Sequence, residues 1–285
     1  MLVLRNNGVN LATLTIFSIA TGRYFPFWEN MVASASREID NSIKVEFYLA
    51  GDSQAIFNEW RERNKGIESR FVTVPNLPWP LPTLLRFKYL NMILKEIDSD
   101  YLMYLDADME FISKFSRENL DFIGNSGVTL VKHPGYFRTS RLEILNNFGF
   151  LRFLRILVSD LRLKLKYFGI GTWETNRSSS AFVPKSQRKQ YVCGGTWWGK
   201  KESIQKLSHE LEFKIDQDLS NNLIAKYHDE SHLNYWAANN PCLLVGPEFC
   251  FDARLVFAKN MKPIIRAVNK NVDGLWNRME PVKEN

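Results

Sequence analysis

Apolar runs alternate with amphipathic segments along the first third of the chain. Residues 12–19 are apolar and rich in β-branched side chains, which predicts a buried strand that ends at a Thr-Gly turn. Residues 25–39 carry apolar positions at helical spacing, and residues 43–49 form a second strand-like run. A further helix and strand, a proline-rich loop over 75–82 and a helix over 84–97 follow. This alternation predicts an α/β fold with a mostly parallel sheet flanked by helices on both faces.

Two carboxylates follow the most apolar of these runs. Residues 101–105 read Tyr-Leu-Met-Tyr-Leu, which is typical of a central strand, and Asp106-Ala107-Asp108 comes directly after them. Parallel sheets bind ligands at the carboxyl ends of their strands. Carboxylate oxygens suit a hard divalent cation beside a diphosphate, so we expect a metal–nucleotide site here. The alternative is that either aspartate caps the turn that follows.

A second polar cluster lies near residue 230, where the sequence reads Tyr-His-Asp-Glu-Ser-His-Leu-Asn. One interpretation is the start of a helix, with Asp229 or Ser231 as its cap. Another is zinc binding by His228 and His232, although the HExxH pattern and a third ligand are missing. The pattern alone leaves a structural and a functional role open.

A pair of glycines precedes a pair of tryptophans at residues 194–199. Glycines let a ligand approach the backbone, and aromatic rings offer a surface on which a sugar can stack. A tight turn beside a buried tryptophan pair explains the same residues, so neither interpretation is excluded at this point.

Composition limits the class of protein. The 285 residues are 45% hydrophobic, enough for one large α/β domain or two small ones, and the net charge is +6. The cations cluster in one segment without a nucleic-acid-binding motif, so we expect no nucleic-acid partner. Three cysteines show no disulfide or metal spacing, which favours a reducing compartment. The first apolar run is too short to span a bilayer, so we expect neither a signal peptide nor a membrane anchor.

In order along the chain, four blocks resemble the family 6 glycosyltransferases, which include the blood-group A and B enzymes and the α1,3-galactosyltransferases. The blocks are FSIATGRY, MYLDADMEF, TWETNRSSSAFVPK with CGGTWWG, and YHDESHLN with GPEFCFD. The resemblance covers about residues 14 to 278. It implies a GT-A fold, a UDP-sugar donor, dependence on Mn²⁺ with Mg²⁺ as the alternative, and retention of anomeric configuration in an α1,3 linkage to galactose.

The resemblance also implies roles for individual residues. Glu230 corresponds to the catalytic carboxylate, which also faces the acceptor, and Asp106 and Asp108 correspond to the metal ligands. The donor-binding positions are Phe17, Ile19, Tyr24, Arg86, Asp106, Ala107, Asp108, Cys193, Gly194, Gly195, His228, Asp229, Lys270 and Arg278. The acceptor-binding positions are His133, Thr172, Tyr227, Glu230 and Asp252. A retaining transfer needs a carboxylate beside the anomeric carbon, which is consistent with Glu230.

Two strings bear on the choice of sugars. Cys193-Gly194-Gly195 corresponds to the tripeptide that selects the donor, and a glycine at its third position leaves room for an acetamido group, which favours UDP-N-acetylgalactosamine over UDP-galactose. The string His-Pro-Gly-Tyr-Phe at residues 133–137 is similar to that of the blood-group enzymes, so a fucosylated galactose is the expected acceptor. A non-catalytic sugar-binding module is the alternative class, but it leaves both acidic clusters unexplained.

We expect a single GT-A domain with a nucleotide-binding half over about residues 10–110 and an acceptor-binding half over 111–285. An insert over 142–171 interrupts the resemblance and alternates apolar with cationic residues. Such a pattern predicts peripheral contact with a membrane, and a helix docked on the protein's own core or at a subunit interface is the alternative. The expected location is cytoplasmic, at the inner face of the cytoplasmic membrane, on a lipid-linked glycan of O-antigen synthesis.

Overall fold

A computed structural model of the chain describes residues 11–255 and 261–270. Within these ranges the strands are Ala12–Ala20 (β1), Ile43–Gly51 (β2), Ser69–Thr73 (β3), Tyr101–Leu105 (β4), Met109–Phe111 (β5), Val128–Lys132 (β6), Val192–Lys200 (β7), Leu243–Val245 (β8) and Ile265–Ala267 (β9). The helices are Phe25–Glu38 (α1), Gln54–Arg63 (α2), Leu81–Leu84 (α3), Arg86–Ile93 (α4), Arg117–Asp121 (α5), Arg141–Phe148 (α6), Phe150–Tyr167 (α7), Lys201–Ser220 (α8) and His228–Asn239 (α9).

The described strands form a seven-stranded sheet in the order β3-β2-β1-β4-β7-β6-β8, with β5 and β9 in a separate antiparallel pair. Strand β1 pairs in parallel with β2 and β4, and β2 pairs in parallel with β3. Strand β7 runs antiparallel to both of its neighbours, β4 and β6. The expected α/β fold with a mostly parallel sheet is therefore confirmed, and it is consistent with a GT-A type glycosyltransferase.

Two apolar layers cover the two faces of the sheet because alternate strand residues point to opposite sides. Met103 and Leu105 of β4 belong to one cluster together with Trp28 of α1. Leu102 and Tyr104 belong to the other cluster, which includes residues of α4, α8 and α9. Helices therefore lie on both faces, and the carboxyl end of β4 opens between them.

The predicted elements of the first hundred residues match the structure closely. Strands β1, β2 and β4 and helix α1 occur where hydrophobic periodicity placed them. The helix predicted over 84–97 is shorter, with α4 at Arg86–Ile93, and the short helix α3 includes the last two residues of the predicted loop over 75–82. The turn interpretation of Gly194-Gly195 is wrong, because both residues lie inside strand β7. None of the helices that can be described has the length and apolar character needed to cross a bilayer.

The insert over 142–171 forms most of helix α6 and all of helix α7. One face of α7 docks on the protein, with Ile156 and Tyr167 buried. The opposite face carries several exposed leucine side chains. The interpretation that the insert docks on the protein's own core is therefore correct for one face of α7. The opposite face packs on no surface among the described residues.

Candidate active site

The two aspartates of the Asp-Ala-Asp triplet lie at the carboxyl end of β4, where the strand leaves the sheet. The Oδ1 atom of Asp106 accepts hydrogen bonds from the Tyr104 hydroxyl at 2.7 Å and from Arg86 at 3.3 Å. The Oδ2 atom of Asp108 lies 2.7 Å from the Nζ atom of Lys270. Burial and the negative charge of Asp106 raise the pKa of Asp108. The capping alternative is wrong for Asp106, whose side-chain partners come from β4 and α4 rather than from the turn that follows.

A cleft of about 480 Å³ opens directly above this triplet. The predicted donor-binding residues that line it are Ile19, Tyr24, Asp106, Ala107, Asp108 and Lys270. The Lys270 ammonium also donates to the Tyr24 hydroxyl at 2.9 Å and lies 4.7 Å from the centre of the Tyr24 ring. Aromatic and apolar side chains thus share the cleft with two carboxylates and a lysine, a combination that suits a nucleoside diphosphate whose negative charge is offset by a cation.

Arg86 connects the first acidic cluster with the second. It is 4% exposed, and its Nε atom lies 2.9 Å from Oδ2 of Asp229, at the start of α9. The same guanidinium pairs with Asp106, donates to the Gly194 carbonyl and lies 4.3 Å from the centre of the Tyr104 ring. Burial raises the pKa of Asp229 to about 6, although Arg86 acts in the opposite direction. One buried cation therefore holds residues that are 123 positions apart in sequence (106 and 229) at the same point.

Glu230 lies on the opposite side of the glycine pair from Asp106. Its Oε2 atom accepts a hydrogen bond from the Gly194 amide at 2.9 Å, and the Gly195 carbonyl accepts one from the Asp106 amide at 2.9 Å. Burial raises the pKa of Glu230 to about 7, against the lowering effect of the Gly194 amide and the Tyr191 hydroxyl. The two acidic clusters thus flank two consecutive residues of one strand.

A second group of side chains lies beyond Glu230, away from the nucleotide cleft. His133 packs against Tyr136 and Tyr191 with ring centres 4.7 and 5.8 Å apart. The Tyr136 hydroxyl and the Thr172 hydroxyl are 3.2 Å apart. Burial lowers the pKa of His133 to about 4, although the negative charge of Asp252 raises it, so this ring is neutral at pH 7. Four predicted acceptor residues, His133, Thr172, Asp252 and Glu230, therefore border one aromatic group.

Several predicted features lie elsewhere. Phe17 is fully buried behind the cleft, where it packs on Tyr104, and it does not line the cavity. Trp197 and Trp198 are fully buried on opposite faces of the sheet, so their proposed sugar-stacking surface is wrong and the core interpretation is correct. Cys193 is buried, and the three cysteines are free thiols. Arg278 lies outside the described residues.

The contacts of residues 227–232 decide between the helix-cap and zinc-ligand interpretations of this segment. Helix α9 begins at His228, and the N-cap position is Tyr227, which makes no side-chain cap hydrogen bond, so Asp229 is not the cap. The Ser231 hydroxyl accepts a hydrogen bond from the backbone amide of Tyr227. Tyr227, a predicted acceptor residue, is 39% exposed. The two ring nitrogens of His232 face the His228 carbonyl and Asp218 at 3.0 and 3.3 Å, which excludes His232 as a zinc ligand. Over the described ranges no group of three or more His, Cys, Asp or Glu side chains has metal-binding geometry.

Comparisons with known proteins agree with this arrangement. The model of glycosyltransferase family 6 matches residues 163–277. The O-antigen biosynthesis glycosyltransferase WbnI of Escherichia coli is 25% identical over 257 residues, which cover 89% of this chain and 94% of that protein. The rat histo-blood group ABO system transferase 1 is 24% identical over 271 residues, covering 93% of the chain and 68% of the relative. The chain is therefore similar to glycosyltransferase family 6 in its second half and to these glycosyltransferases along most of its length.

Other relatives are longer than this chain. The human globoside α-1,3-N-acetylgalactosaminyltransferase 1 is 22% identical over 246 residues, which cover 85% of the chain but 62% of that protein. The chain thus spans less than two thirds of the length of the human and Gallus gallus globoside enzymes and almost all of WbnI. The similarity to these enzymes supports glycosyltransferase activity, with a nucleotide-sugar donor and a glycan acceptor.

Three residues of this candidate site escaped the sequence analysis. Trp79 is 72% exposed, lines the nucleotide cleft, and packs edge-on against the predicted donor residue His228 with ring centres 4.4 Å apart. Its position among four prolines was the available signal, since such a loop exposes an apolar ring at a fixed place. Tyr104 and Tyr191 lie in or next to strands and carried no signal distinguishing them from core residues.

The close approach of Gly195 to Asp106 gives a first prediction. A Cβ atom added at Gly195 would lie 2.9 Å from Oδ2 of Asp106, closer than non-bonded atoms normally come. We expect Gly195→Ala to displace this carboxylate and to lower kcat/KM for the donor about 10- to 100-fold, because small misplacements of binding groups have effects of that size. Steady-state kinetics with varied donor measure it. Gly66→Ala, with open space around its Cβ, is the matched control and should leave the rate unchanged.

The raised pKa of Glu230 gives a second prediction. A catalytic carboxylate acts in its ionised form, and a pKa of about 7 in the free enzyme leaves it protonated under acidic conditions. We therefore expect kcat/KM to fall as the pH is lowered through about 7, approaching tenfold per unit on the acidic side. A pH–rate profile at constant ionic strength tests this. A rate that is flat from about pH 5.5 to about pH 8 contradicts the assignment of Glu230 as the group that must ionise.

Proposed function

We propose that the chain is a retaining α1,3-glycosyltransferase that moves N-acetylgalactosamine from UDP-N-acetylgalactosamine to a galactose-containing glycan, with UDP-galactose as the alternative donor. The observation that carries the proposal is the junction at Arg86, whose guanidinium touches both Asp106 and Asp229. A nucleotide-binding cleft and a candidate catalytic carboxylate thereby meet across Gly194 and Gly195. A sugar-binding module would need neither a nucleotide-binding cleft nor a catalytic carboxylate.

The shape and charge of the cleft suggest how the donor lies in it. Ile19, Tyr24 and Trp79 supply the apolar and aromatic walls that would suit uracil. Asp108 and Lys270, which contacts Tyr24, supply the polar groups beside which the diphosphate would lie. The sugar would then extend over the glycine pair of β7 toward Asp229 and Glu230. The half of the chain before about residue 110 supplies most of this wall, which supports its proposed role in nucleotide binding.

The residues at the triplet fit a divalent cation. Burial and the negative charge of Asp106 raise the pKa of Asp108, and a bound cation would offset both effects by stabilising the ionised carboxylate. Oxygen ligands favour Mn²⁺ or Mg²⁺. When bound by Asp106 and Asp108, the ion would supply positive charge to offset the negative charge that develops on the departing UDP.

The chemistry asked of the protein is substitution at the anomeric carbon with retention. The bond between that carbon and the β-phosphate oxygen breaks, and a bond to the acceptor hydroxyl oxygen forms. Glu230 serves this reaction either by bonding to the anomeric carbon before the acceptor displaces it, or by stabilising positive charge on the sugar during attack from the departing side. The acceptor proton leaves with the UDP phosphate or with Glu230, and both routes require Glu230 to be ionised.

The geometry around Gly194 and Gly195 bears on the donor sugar. A Cβ at Gly194 would lie 3.3 Å from Arg86 and 3.4 Å from Asp229, so the backbone here approaches the groups proposed to hold the sugar hydroxyls. The absence of side chains leaves room for an acetamido group, which supports UDP-N-acetylgalactosamine. A roomy pocket rejects a smaller ligand poorly, so slower use of UDP-galactose is consistent with the proposal.

The acceptor is proposed to bind beside His133, Tyr136, Thr172 and Asp252. Neutral imidazole, hydroxyl and carboxylate groups next to aromatic rings suit the alternating polar edges and apolar faces of a sugar. The His-Pro-Gly-Tyr-Phe string at residues 133–137 is the basis for proposing a fucosylated galactose as acceptor. Similarity to an O-antigen biosynthesis enzyme supports a role in surface-polysaccharide synthesis. We place the reaction at the cytoplasmic face of the cytoplasmic membrane, on a lipid-linked glycan.

A donor and acceptor panel tests the proposal. UDP release is measured for UDP-N-acetylgalactosamine, UDP-galactose, UDP-N-acetylglucosamine and UDP-glucose, each with a fucosylated and an unfucosylated β-galactoside, in Mn²⁺ and in EDTA. We expect the fastest release from UDP-N-acetylgalactosamine with the fucosylated acceptor in Mn²⁺, and an α1,3-linked product by NMR. Glycan binding without acceptor-dependent UDP release from any donor would instead indicate a sugar-binding module and overturn the proposal.

A further inference from the structure

The outward face of helix α7 presents a continuous apolar stripe. Its members recur at intervals of three and four residues, which places them on one side of an α-helix. Leu151 at one end and Leu165 at the other are 77% and 69% exposed. The stripe consists of Leu151, Leu154, Val158, Leu161 and Leu165. An aligned row of exposed leucines over an 18-residue helix is far more than the scattered apolar residues of an ordinary surface.

Cations border this stripe. By helical geometry Arg155, Arg162 and Lys166 follow one edge of it, and Lys164 follows the other. The acid of α7, Asp160, points to the inward face, where its carboxylate pairs with Arg138 at 2.9 Å. The outward face of α7 thus combines apolar side chains with positive charge and carries no carboxylate of its own.

The inward face ties α7 to the acceptor side of the site. Arg138, held by Asp160, donates to the backbone carbonyls of Gly135 and Phe137 at 2.8 and 2.9 Å. Tyr167, near the end of α7, packs in one cluster with Trp173 and Tyr191. Burial raises the pKa of Tyr191, and the negative charge of the nearby Glu230 carboxylate raises it further. Whatever binds the outward face of α7 is therefore held at a fixed position relative to the acceptor residues.

We propose that the stripe of α7 with its bordering cations docks on an anionic lipid surface and holds the acceptor site against a membrane. Apolar side chains of such a helix enter the acyl boundary, and its cations meet anionic headgroups. A second copy of this chain is disfavoured as the occupant, because pairing of two such faces brings cations together without a carboxylate to offset them. The inference rests on the proposed function for one point only, namely that the acceptor is lipid-linked.

Vesicle co-sedimentation tests the docking surface. Two kinds of vesicle are used, one of phosphatidylcholine alone and one of phosphatidylcholine and phosphatidylglycerol in equal parts. We expect the full chain to sediment with the anionic vesicles and to bind the neutral ones at least about tenfold more weakly. The double variant Leu161→Asp, Leu165→Asp should bind the anionic vesicles about tenfold or more weakly than the parent. The double variant Arg155→Glu, Arg162→Glu should lose a similar factor on anionic vesicles only.

Matched controls lie on other helices. Phe213→Asp on α8 replaces a side chain that is 71% exposed, and Lys88→Glu with Lys95→Glu reverses two exposed cations near α4. Both should bind vesicles like the parent. Unchanged melting temperatures establish that the stripe variants are folded. Binding of the leucine variant equal to that of the parent, or a parent that binds neither vesicle, would overturn the proposal. A dimer of the parent in sedimentation equilibrium that is lost in the leucine variant would also overturn the proposal. The stripe would then be an interface between two copies of the chain.

The docking surface and the proposed function can fail separately. Transfer to a short water-soluble acceptor should be the same in the parent and in both stripe variants, since these side chains face away from Glu230. Transfer to an acceptor embedded in anionic vesicles should fall about tenfold in the variants. Vesicle binding without transfer to any soluble acceptor would contradict the proposed function and leave the docking surface standing.

Discussion

Replacing Glu230 with glutamine is expected to lower kcat by roughly 10³-fold or more, because the carboxamide is nearly isosteric but can neither bond to the anomeric carbon nor carry negative charge beside it. UDP affinity should change less than about twofold, since the proposed nucleotide contacts are with Asp106, Asp108 and the cleft beyond them. Single-turnover transfer and calorimetric titration with UDP measure the two quantities.

A matched replacement on the surface controls for the loss of one negative charge. Glu202→Gln changes an exposed carboxylate in the first turn of α8 and should leave transfer within about twofold of the parent. The pH profile adds a second discriminating observation, because residual transfer by Glu230→Gln should lose the acidic limb. Parental turnover in Glu230→Gln would remove this residue from the mechanism, whatever the behaviour of the control.

Replacing Arg86 with methionine is expected to have the largest effect on stability. The change leaves Asp229 buried without its cation, and breaking a buried ion pair by removing one partner costs about 3–5 kcal/mol of unfolding free energy. The pKa of Asp229, already about 6, should rise further without Arg86, so the folded variant takes up a proton that the unfolded chain releases. The loss of stability should therefore be greatest at alkaline pH and smaller as the pH falls through that raised pKa.

Urea unfolding at several pH values measures this prediction, and a double-mutant cycle assigns it to the pair. Asp229→Asn in the Arg86→Met background removes the unpaired charge and should restore part of the lost free energy, although it also removes a proposed donor contact. A difference below about 1 kcal/mol between the parent and Arg86→Met at neutral pH would contradict the role of Arg86 as the cation joining the two acidic clusters.

The elements that the sequence predicts well are those whose periodicity is local. Strand β4 occurs as predicted because an unbroken apolar run ends at two aspartates, and α1 occurs because its apolar positions keep helical spacing. Strand β7 was missed because two glycines within it are a turn signal, and no short-range pattern shows that those glycines allow Arg86, Asp106 and Glu230 to converge. Only the tertiary structure supplies that reason.

The residues of the site also divide into those that the sequence could predict and those that it could not. The two acidic clusters could be selected from the sequence because charged residues directly after an apolar strand or at a helix start are conspicuous. Their partners could not, because Tyr104 and Tyr191 look like core residues until their hydroxyl groups are seen beside Asp106 and Glu230. Trp197 and Trp198 illustrate the converse error, since a motif that suggests sugar stacking is filled by core side chains. A sequence shows residue types, but the burial and orientation of each side chain in the fold decide whether that side chain can contact a ligand.

A crystal structure of the Glu230→Gln variant with UDP-N-acetylgalactosamine and Mn²⁺ tests the central proposal most directly. We predict that the diphosphate lies at Asp106 and Asp108, and that the anomeric carbon lies within about 4 Å of the residue 230 side chain, close to the distance from which bonds form. A donor whose sugar points away from residue 230, with its anomeric carbon more than about 8 Å from that side chain, would contradict it.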